Sequence, residues 1–350
     1  MLFRQLFDQV SSTYTYLLAD ERTREAVLVD PVFEEHARDA ALIRELDLRL
    51  CYTIDTHCHA DHVTGAWLMK VALGSKIGLS GHYGATNVDV PLAHGHTLRF
   101  GHCALEVRET PGHTGGCLSL IAEDGKTAFT GDALLVRGAG RTDFQQGDAR
   151  QLFRSIRDQL LSLPDECLVY PGHDYSGRTV STIGEERLHN PRIGGGAREE
   201  DFVGYMENLG LPHPKQLTIA VPANLRAGQP ESGTVPAAPD WGPLVMTYAG
   251  LPEVQPEWVA SHLDSVHVLD VRSPAEFDGE LGRIDGAALI PLEELRARAS
   301  EVRDDKPVVI VCQTGKRSGL ATVILRKAGL TRVANIAGGM VRWRQLGLSS

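Results

Sequence analysis

Residues 56–62 of the chain read THCHADH, directly after a short apolar run at residues 51–54 that is typical of a β-strand. Alternate residues of an extended segment point to the same side, so His57 and His59 are predicted to face one pocket. Asp61 and His62 then turn in behind them. Three imidazoles and a carboxylate in six residues indicate a metal site, because such a cluster would not stabilise the fold unless it bound a cation.

Three further segments carry side chains that can complete such a site. His113 lies in a tight glycine turn that reads TPGHT, Asp132 ends an apolar segment that reads FTGD, and His173 lies in the segment YPGHD. Four other histidines have no partners of this kind, and we predict that they lie in loops or on the surface: His82, His94, His96 and His102.

The motifs H-x-H-x-D-H, P-G-H-T, G-D and P-G-H follow one another within about residues 1–225. This set resembles the metallo-β-lactamase superfamily. The resemblance implies an αββα sandwich with metal at the edge of the sheets. The same positions serve dinuclear zinc hydrolases of the glyoxalase II type and mononuclear iron oxygenases, so the motifs leave the chemistry open.

The segment GAGRTDFQQG at residues 138–147 resembles the persulfide dioxygenase family, as do THCHADH and the segment VPAN at residues 221–224. The resemblance implies one Fe(2+) per chain, held by His57, His113 and Asp132. Two imidazoles and a carboxylate leave open positions for a substrate thiolate and for O2. His59, Asp61, His62 and His173 would then orient the ligands and tune the iron. The sequence does not forbid a second metal ion on Asp61, His62 and His173.

The substrate that this resemblance implies is glutathione persulfide, which O2 and water oxidise to sulfite and glutathione. Glutathione carries two carboxylates, so a net-acidic domain needs cations near the iron. Arg141 and Arg178 are the candidates, and Tyr175 is a candidate donor of a phenolic hydrogen bond. The alternative for Arg141 is an ion pair with Asp143 or another carboxylate of the fold.

A second candidate site follows the strand-like run at residues 308–311. Cys312 begins the segment CQTGKRS, which is predicted to form a tight loop that leads into a helix. Loop amides near a helix N-terminus, together with Lys316 and Arg317, stabilise a thiolate and an anion beside it. The spacing of Cys312, Arg317 and Ser318 also fits a phosphatase.

Residues 253–347 resemble the rhodanese (sulfurtransferase) domain. The resemblance rests on the segments LDVR at 269–272, EF at 276–277 and GRIDGA at 282–287, and on a Gly-Gly pair followed by Trp343. It implies that Cys312 takes sulfane sulfur from a donor as a persulfide and passes it to an acceptor thiol, while Lys316 and Arg317 hold the anionic donor. The transfer would run between thiosulfate and glutathione, in a direction that the sequence leaves open. Asp270 and Arg272 are predicted to form a structural ion pair. A non-catalytic sulfur-binding or regulatory module is the alternative.

The chain has 350 residues, which favours about two domains. Strand-like and helix-like segments alternate throughout, so the fold class is α/β: the sandwich at 1–225, a proline-rich linker at 226–252 and a small parallel α/β domain at 253–350. The hypothesis is a persulfide dioxygenase followed by a thiosulfate sulfurtransferase. Its rival is a dinuclear zinc thioester hydrolase of the glyoxalase II type, followed by a sulfurtransferase.

Composition excludes several other classes. Hydrophobic residues make up 42% and charged residues 23%, as in ordinary soluble proteins. The formal net charge of −10 argues against nucleic-acid binding, and no apolar run reaches the roughly 18 residues of a membrane span. Six cysteines without a C-x-x-C pair favour reduced thiols and a cytoplasmic location. The sequence is compatible with a homo-oligomer.

Overall fold

A computed structural model of the chain describes residues 1–235 and 241–349. The chain divides into two compact units, residues 1–235 and residues 236–350. This division falls inside the predicted linker, of which residues 236–240 lie outside the described residues.

Both ends of the predicted linker carry structure. Ala227 is buried in a small cluster with Ala66 and Ile77 of the first unit. Val245–Met246 pairs as an antiparallel strand with Pro252–Val254 in the second unit. Proline content did not predict this, because it does not distinguish a segment packed on a domain from a free connection.

Two six-stranded sheets form the centre of the first unit. In the first sheet the order is β1-β2-β3-β4-β5-β6, with β1 Leu2–Phe7, β2 Tyr14–Ala19, β3 Glu25–Val29, β4 Arg49–Ile54, β5 Lys76–Ser80 and β6 Val90–Leu92. The order in the second is β14-β13-β10-β9-β8-β7, with β7 Thr97–Phe100, β8 Cys103–Glu109, β9 Leu118–Ala122, β10 Thr127–Gly131, β13 Leu168–Pro171 and β14 Ser181–Thr182. A hairpin pairs β11 Leu134–Leu135 with β12 Gly138–Ala139.

Helices cover the outer faces of these sheets. They are α1 His36–Glu45, α2 Ala66–Leu73, α3 Ala149–Ser155, α4 Ile183–His189, α5 Glu199–Glu207 and α6 Leu217–Asn224. Ile43 and Met69 pack on the first sheet, and Leu152 and Phe202 pack on the second. Helix α3 continues directly into a π-helical segment, Ile156–Leu160.

Strand β2 is buried along its whole length because both of its faces are covered. Tyr14, Tyr16 and Leu18 point into the core between the two sheets, whereas Leu17 and Ala19 point into the helical layer. This layering confirms the predicted αββα sandwich.

One six-stranded sheet, in the order β15-β16-β20-β19-β17-β18, organises the second unit. Its strands are β15 Val245–Met246, β16 Pro252–Val254, β17 His267–Asp270, β18 Ala288–Leu289, β19 Val308–Val311 and β20 Val333–Ile336. Its helices are α7 Pro256–Ala260, α8 Pro274–Phe277, α9 Leu292–Arg298, α10 Lys316–Lys327 and α11 Gly339–Gln345. The sheet is parallel as predicted, except for the edge strand β15, which is antiparallel. In the described residues no helix is both long enough and apolar enough to span a bilayer.

Candidate metal centre and cysteine loop

The segment that follows β4 is held in place by Asp30, at the end of β3. Asp30 accepts hydrogen bonds from the backbone amide of Thr56 at 2.6 Å and from its hydroxyl at 2.9 Å. His59 Nε2 lies 3.2 Å from the same carboxylate. Sequence reasoning had not assigned Asp30 to the site, although a strand that ends in a polar residue was a signal for it.

His57, His113 and Asp132 come from three loops and meet in one place. One potential ligand atom from each lies within 4.8 Å of the other two, and all three residues are buried. His113 follows Gly112, whose φ of +133° and close approach to the backbone of Leu152 exclude a side chain. Asp132 directly follows β10. These are the three ligands that the family resemblance implies.

Hydrogen bonds determine which nitrogen of each histidine is free. The Thr56 hydroxyl donates to Asp30, so it accepts from His57 Nδ1 at 3.0 Å. His113 Nδ1 lies 2.7 Å from the carbonyl oxygen of Arg141 and therefore donates to it. Both rings thus keep Nε2 as the acceptor atom. Burial and the neighbouring His59 hold the pKa of His57 well below its usual value, so its ring is neutral and can bind a metal.

His59, Asp61, His62 and His173 form a second group of ligating side chains, whose atoms also lie within 4.8 Å of one another. His173 Nδ1 lies 2.7 Å from Asp132 Oδ1, and His173 Nε2 lies 3.0 Å from Asp61 Oδ2. Burial lowers the pKa of His173, but the two carboxylates outweigh it and raise that pKa well above its usual value.

Two buried nitrogen atoms in this second group have no hydrogen-bond partner among the described residues: His59 Nδ1 and His62 Nε2. An unpaired buried nitrogen is unfavourable in a purely protein environment, and imidazole nitrogens are common metal ligands. The side chains of the centre therefore fit a bound cation. The second metal that the motif leaves open has candidate ligands here.

The three residues that are predicted to contact glutathione lie in different environments. Arg141 pairs with Asp143 through two contacts of 2.6 Å and also donates to backbone carbonyls, so its side chain is only 11% exposed. This pairing is the alternative that the sequence left open. Arg178 pairs with Asp174 at 3.0 Å, and its side chain is 45% exposed. Tyr175 is 74% exposed, and its ring stacks on His173 with 6.2 Å between the ring centroids.

In the second unit, Cys312 lies between the end of β19 and the start of α10, and it is buried. Its sulfur accepts from the Gly315 amide at 3.2 Å and from the Ser318 hydroxyl at 3.3 Å. Burial raises the pKa of the Cys312 thiol, but these donors and the amides of Thr314 and Ser318 outweigh it, and the net pKa is lowered. The loop therefore stabilises the thiolate, which is the nucleophilic form.

The cations beside Cys312 are not equivalent. Arg317 donates to Glu276 at 2.8 Å and 2.5 Å, and this pair lowers the pKa of Glu276 to about 2. Lys316 is exposed at the start of α10. The expected pair of Asp270 and Arg272 is confirmed as a buried ion pair with a contact of 2.6 Å. The sequence did not predict the partner of Arg317, because 41 positions separate it from Glu276.

Comparisons with known proteins agree with this architecture. Residues 8–173 match the metallo-β-lactamase superfamily, and residues 255–346 match the rhodanese-like domain. Persulfide dioxygenase ETHE1, mitochondrial, of Homo sapiens is 51% identical over 228 residues, which cover 65% of this chain and 89% of that protein.

Two solved structures extend the comparison. The crystal structure of ETHE1 from Myxococcus xanthus is 51% identical, with a TM-score of 0.63, and the match covers 65% of this chain and all of that one. A metallo-β-lactamase from Staphylococcus aureus covers 97% of both chains with a TM-score of 0.60, and at 23% identity it supports the fold alone. The chain therefore belongs to the metallo-β-lactamase superfamily, as a homologue of the ETHE1 persulfide dioxygenases that carries a rhodanese-like domain.

Proposed function

We propose that the first unit is a persulfide dioxygenase that uses one Fe(2+) per chain, and that the second unit is a thiosulfate sulfurtransferase. In the first reaction, glutathione persulfide, O2 and water give glutathione, sulfite and two protons. The outer sulfur loses four electrons, and these reduce O2. The proposal is carried by the meeting of His57, His113 and Asp132, in a chain that is 51% identical over 228 residues to a named persulfide dioxygenase.

Three residues of the first unit would hold the ion: His57, His113 and Asp132. Thr56 and the Arg141 carbonyl fix the histidine rings, and His173 holds the Asp132 carboxylate. A bound iron(II) ion supplies the one-electron chemistry with O2 and a place for the persulfide sulfur. The protein's part is to keep the His57 ring neutral and the Asp132 carboxylate charged.

We assign the glutathione contacts mainly to Tyr175 and Arg178. Tyr175 is exposed and stacks on His173, which adjoins the ligand Asp132. Arg178 is held by Asp174 through its Nε atom, and its side chain remains partly exposed. Arg141, in contrast, is tied to Asp143, so we assign it to holding the loop beside His113.

The Cys312 loop supports the sulfur transfer. The Cys312 thiolate attacks the outer sulfur of thiosulfate, the sulfur–sulfur bond breaks, and sulfite leaves while a cysteine persulfide forms. A glutathione thiolate then attacks the outer persulfide sulfur, which regenerates the Cys312 thiolate and forms glutathione persulfide. Lys316, Arg317 and the loop amides stabilise the anions. Glutathione persulfide formed here is the substrate proposed for the first unit.

Oxygen consumption with glutathione persulfide, measured together with bound metal, tests the first activity. We expect about one iron per chain, O2 consumption and release of sulfite. Two zinc ions per chain, with hydrolysis of lactoylglutathione and no O2 consumption, would instead establish the glyoxalase II-type rival.

The second activity is tested with Cys312→Ser in the full-length chain. We expect this variant to lose turnover of thiosulfate with glutathione while direct oxidation of glutathione persulfide persists. A matched control is Cys167→Ser, which removes a buried thiol of the first unit. Unchanged thiosulfate turnover in Cys312→Ser would identify the second unit as a non-catalytic module.

A further inference from the structure

The hydroxyl of Thr13 lies among the second group of ligating side chains. Its oxygen is 2.9 Å from His173 Nε2, 3.3 Å from His62 Nδ1 and 3.3 Å from Asp61 Oδ2. Thr13 is fully buried. A single hydroxyl therefore contacts three of the four residues that could hold a second cation.

The backbone and a neighbouring hydroxyl fix Thr13 in this place. Thr13 forms an antiparallel β-bridge with His173, and the amide of Tyr14 donates to the carbonyl of Gly172 at 2.8 Å. The Ser11 hydroxyl lies 2.7 Å from that of Thr13 and donates to Asp8 at 2.6 Å. These contacts join the segment before β2 to the segment after β13, on which His173 lies.

The contacts divide the second group into two halves. Asp61 Oδ2 is contacted by Thr13, His62 and His173, and both nitrogens of His173 face protein atoms. In contrast, His59 Nδ1 and His62 Nε2 have no hydrogen-bond partner in the part of the chain that the structure describes. A second cation needs lone pairs from both halves. The half formed by Asp61 and His173 already uses its lone pairs and protons in hydrogen bonds within the protein.

We propose that the Thr13 hydroxyl restricts the centre to one metal ion, by accepting a hydrogen bond from Nε2 of His173 and so keeping that atom bonded to the protein. The inference rests on the proposed function, which uses a single ion with open positions. Without the hydroxyl, the buried His173 loses a partner on the side that faces Asp61. A cation is then the group that can satisfy a carboxylate and several imidazoles together.

Counting the metal ions per chain tests this inference directly. The full-length chain is incubated with excess zinc chloride, desalted, and analysed for total metal by elemental mass spectrometry. We expect one ion per chain in the wild type and two in Thr13→Val, which replaces the hydroxyl by a methyl group of similar size. Thr13→Ala should also bind two, and Thr13→Ser, which retains the hydroxyl, should bind one.

One ion per chain in either hydroxyl-free variant that folds, or two ions in the wild type or in Thr13→Ser, overturns the inference. Oxygen consumption by the wild type with glutathione persulfide separates this failure from failure of the proposed function. A wild type that consumes O2, alongside a Thr13→Val variant that keeps one ion, refutes only the role of Thr13.

Discussion

His173 Nδ1 lies 2.7 Å from Asp132 Oδ1, and this contact connects the two groups of ligating side chains. The other oxygen of Asp132 faces His113, with 3.6 Å between Oδ2 and Nε2. His173 therefore sets the direction of a carboxylate that belongs to the proposed iron site. It acts on that site through Asp132.

Replacing His173 should weaken metal binding without removing a proposed ligand. We expect His173→Ala to lower metal affinity by about 10- to 100-fold, because Asp132 loses the partner that orients it. Competition with a chelator of known affinity measures this change. His94→Ala, at an exposed histidine, is the control and should bind as the wild type does. Equal affinity in both variants would contradict the role of His173.

Gly140 lies where the loop approaches the metal centre. A Cβ atom there would be 2.2 Å from the Asp132 carbonyl oxygen and 2.8 Å from the His113 ring. We therefore expect Gly140→Ala to lose bound metal and to melt at a lower temperature. At Gly204 in α5, no atom of the described residues outside the helix's own backbone lies within 4 Å of such a Cβ. Gly204→Ala should therefore keep the metal and gain up to about 1 kcal/mol of helix stability. Full metal occupancy in Gly140→Ala would rule out this close contact.

Among the six cysteines, Cys312 should form a thiolate at the lowest pH. Burial raises the pKa of Cys58 and Cys117 to about 12 and that of Cys167 to about 11, and it also raises the pKa values of Cys51 and Cys103. A titration followed by thiolate absorbance should show one thiolate that forms below pH 9 and is missing in Cys312→Ser.

Ser318→Ala should move this step to higher pH, because the thiolate loses a hydroxyl donor. Cys167→Ser should leave the step unchanged. A step at the same pH in Ser318→Ala would show that the loop amides alone stabilise the thiolate.

Asp39 in α1 should make stability depend on pH. Burial raises the pKa of Asp39 to about 6, despite a hydrogen bond from Arg38. The folded state therefore binds more protons than the unfolded state between about pH 4 and pH 6, and stability falls as the pH rises through this window. We expect Asp39→Asn to raise the free energy of unfolding by about 2–3 kcal/mol at about pH 8 and by little below pH 4.

Denaturant titrations at the two pH values measure this difference. Asp158→Asn, at an exposed position, should change stability little at either pH. An equal gain for Asp39→Asn at both pH values would mean that the ionisation of Asp39 is not its cause.

The fold class and the chemical types of the side chains at each site could be predicted from the sequence alone. Local patterns were sufficient for this: the histidine motif after β4, glycine turns before His113 and His173, and a cysteine at the end of a strand. Such features depend on residues within a few positions of one another, so they are readable along the chain.

The partners that control those side chains became apparent from the three-dimensional structure. Thr13 contacts Asp61 across 48 positions of sequence and His173 across 160 positions. Arg317 contacts Glu276 across 41 positions. No periodicity relates residues so far apart, because their proximity depends on how the strands pair and which loops meet at one edge. For Arg141 the sequence left two interpretations open, and the ion pair with Asp143 forms because the largely buried guanidinium group needs a partner that remains in reach.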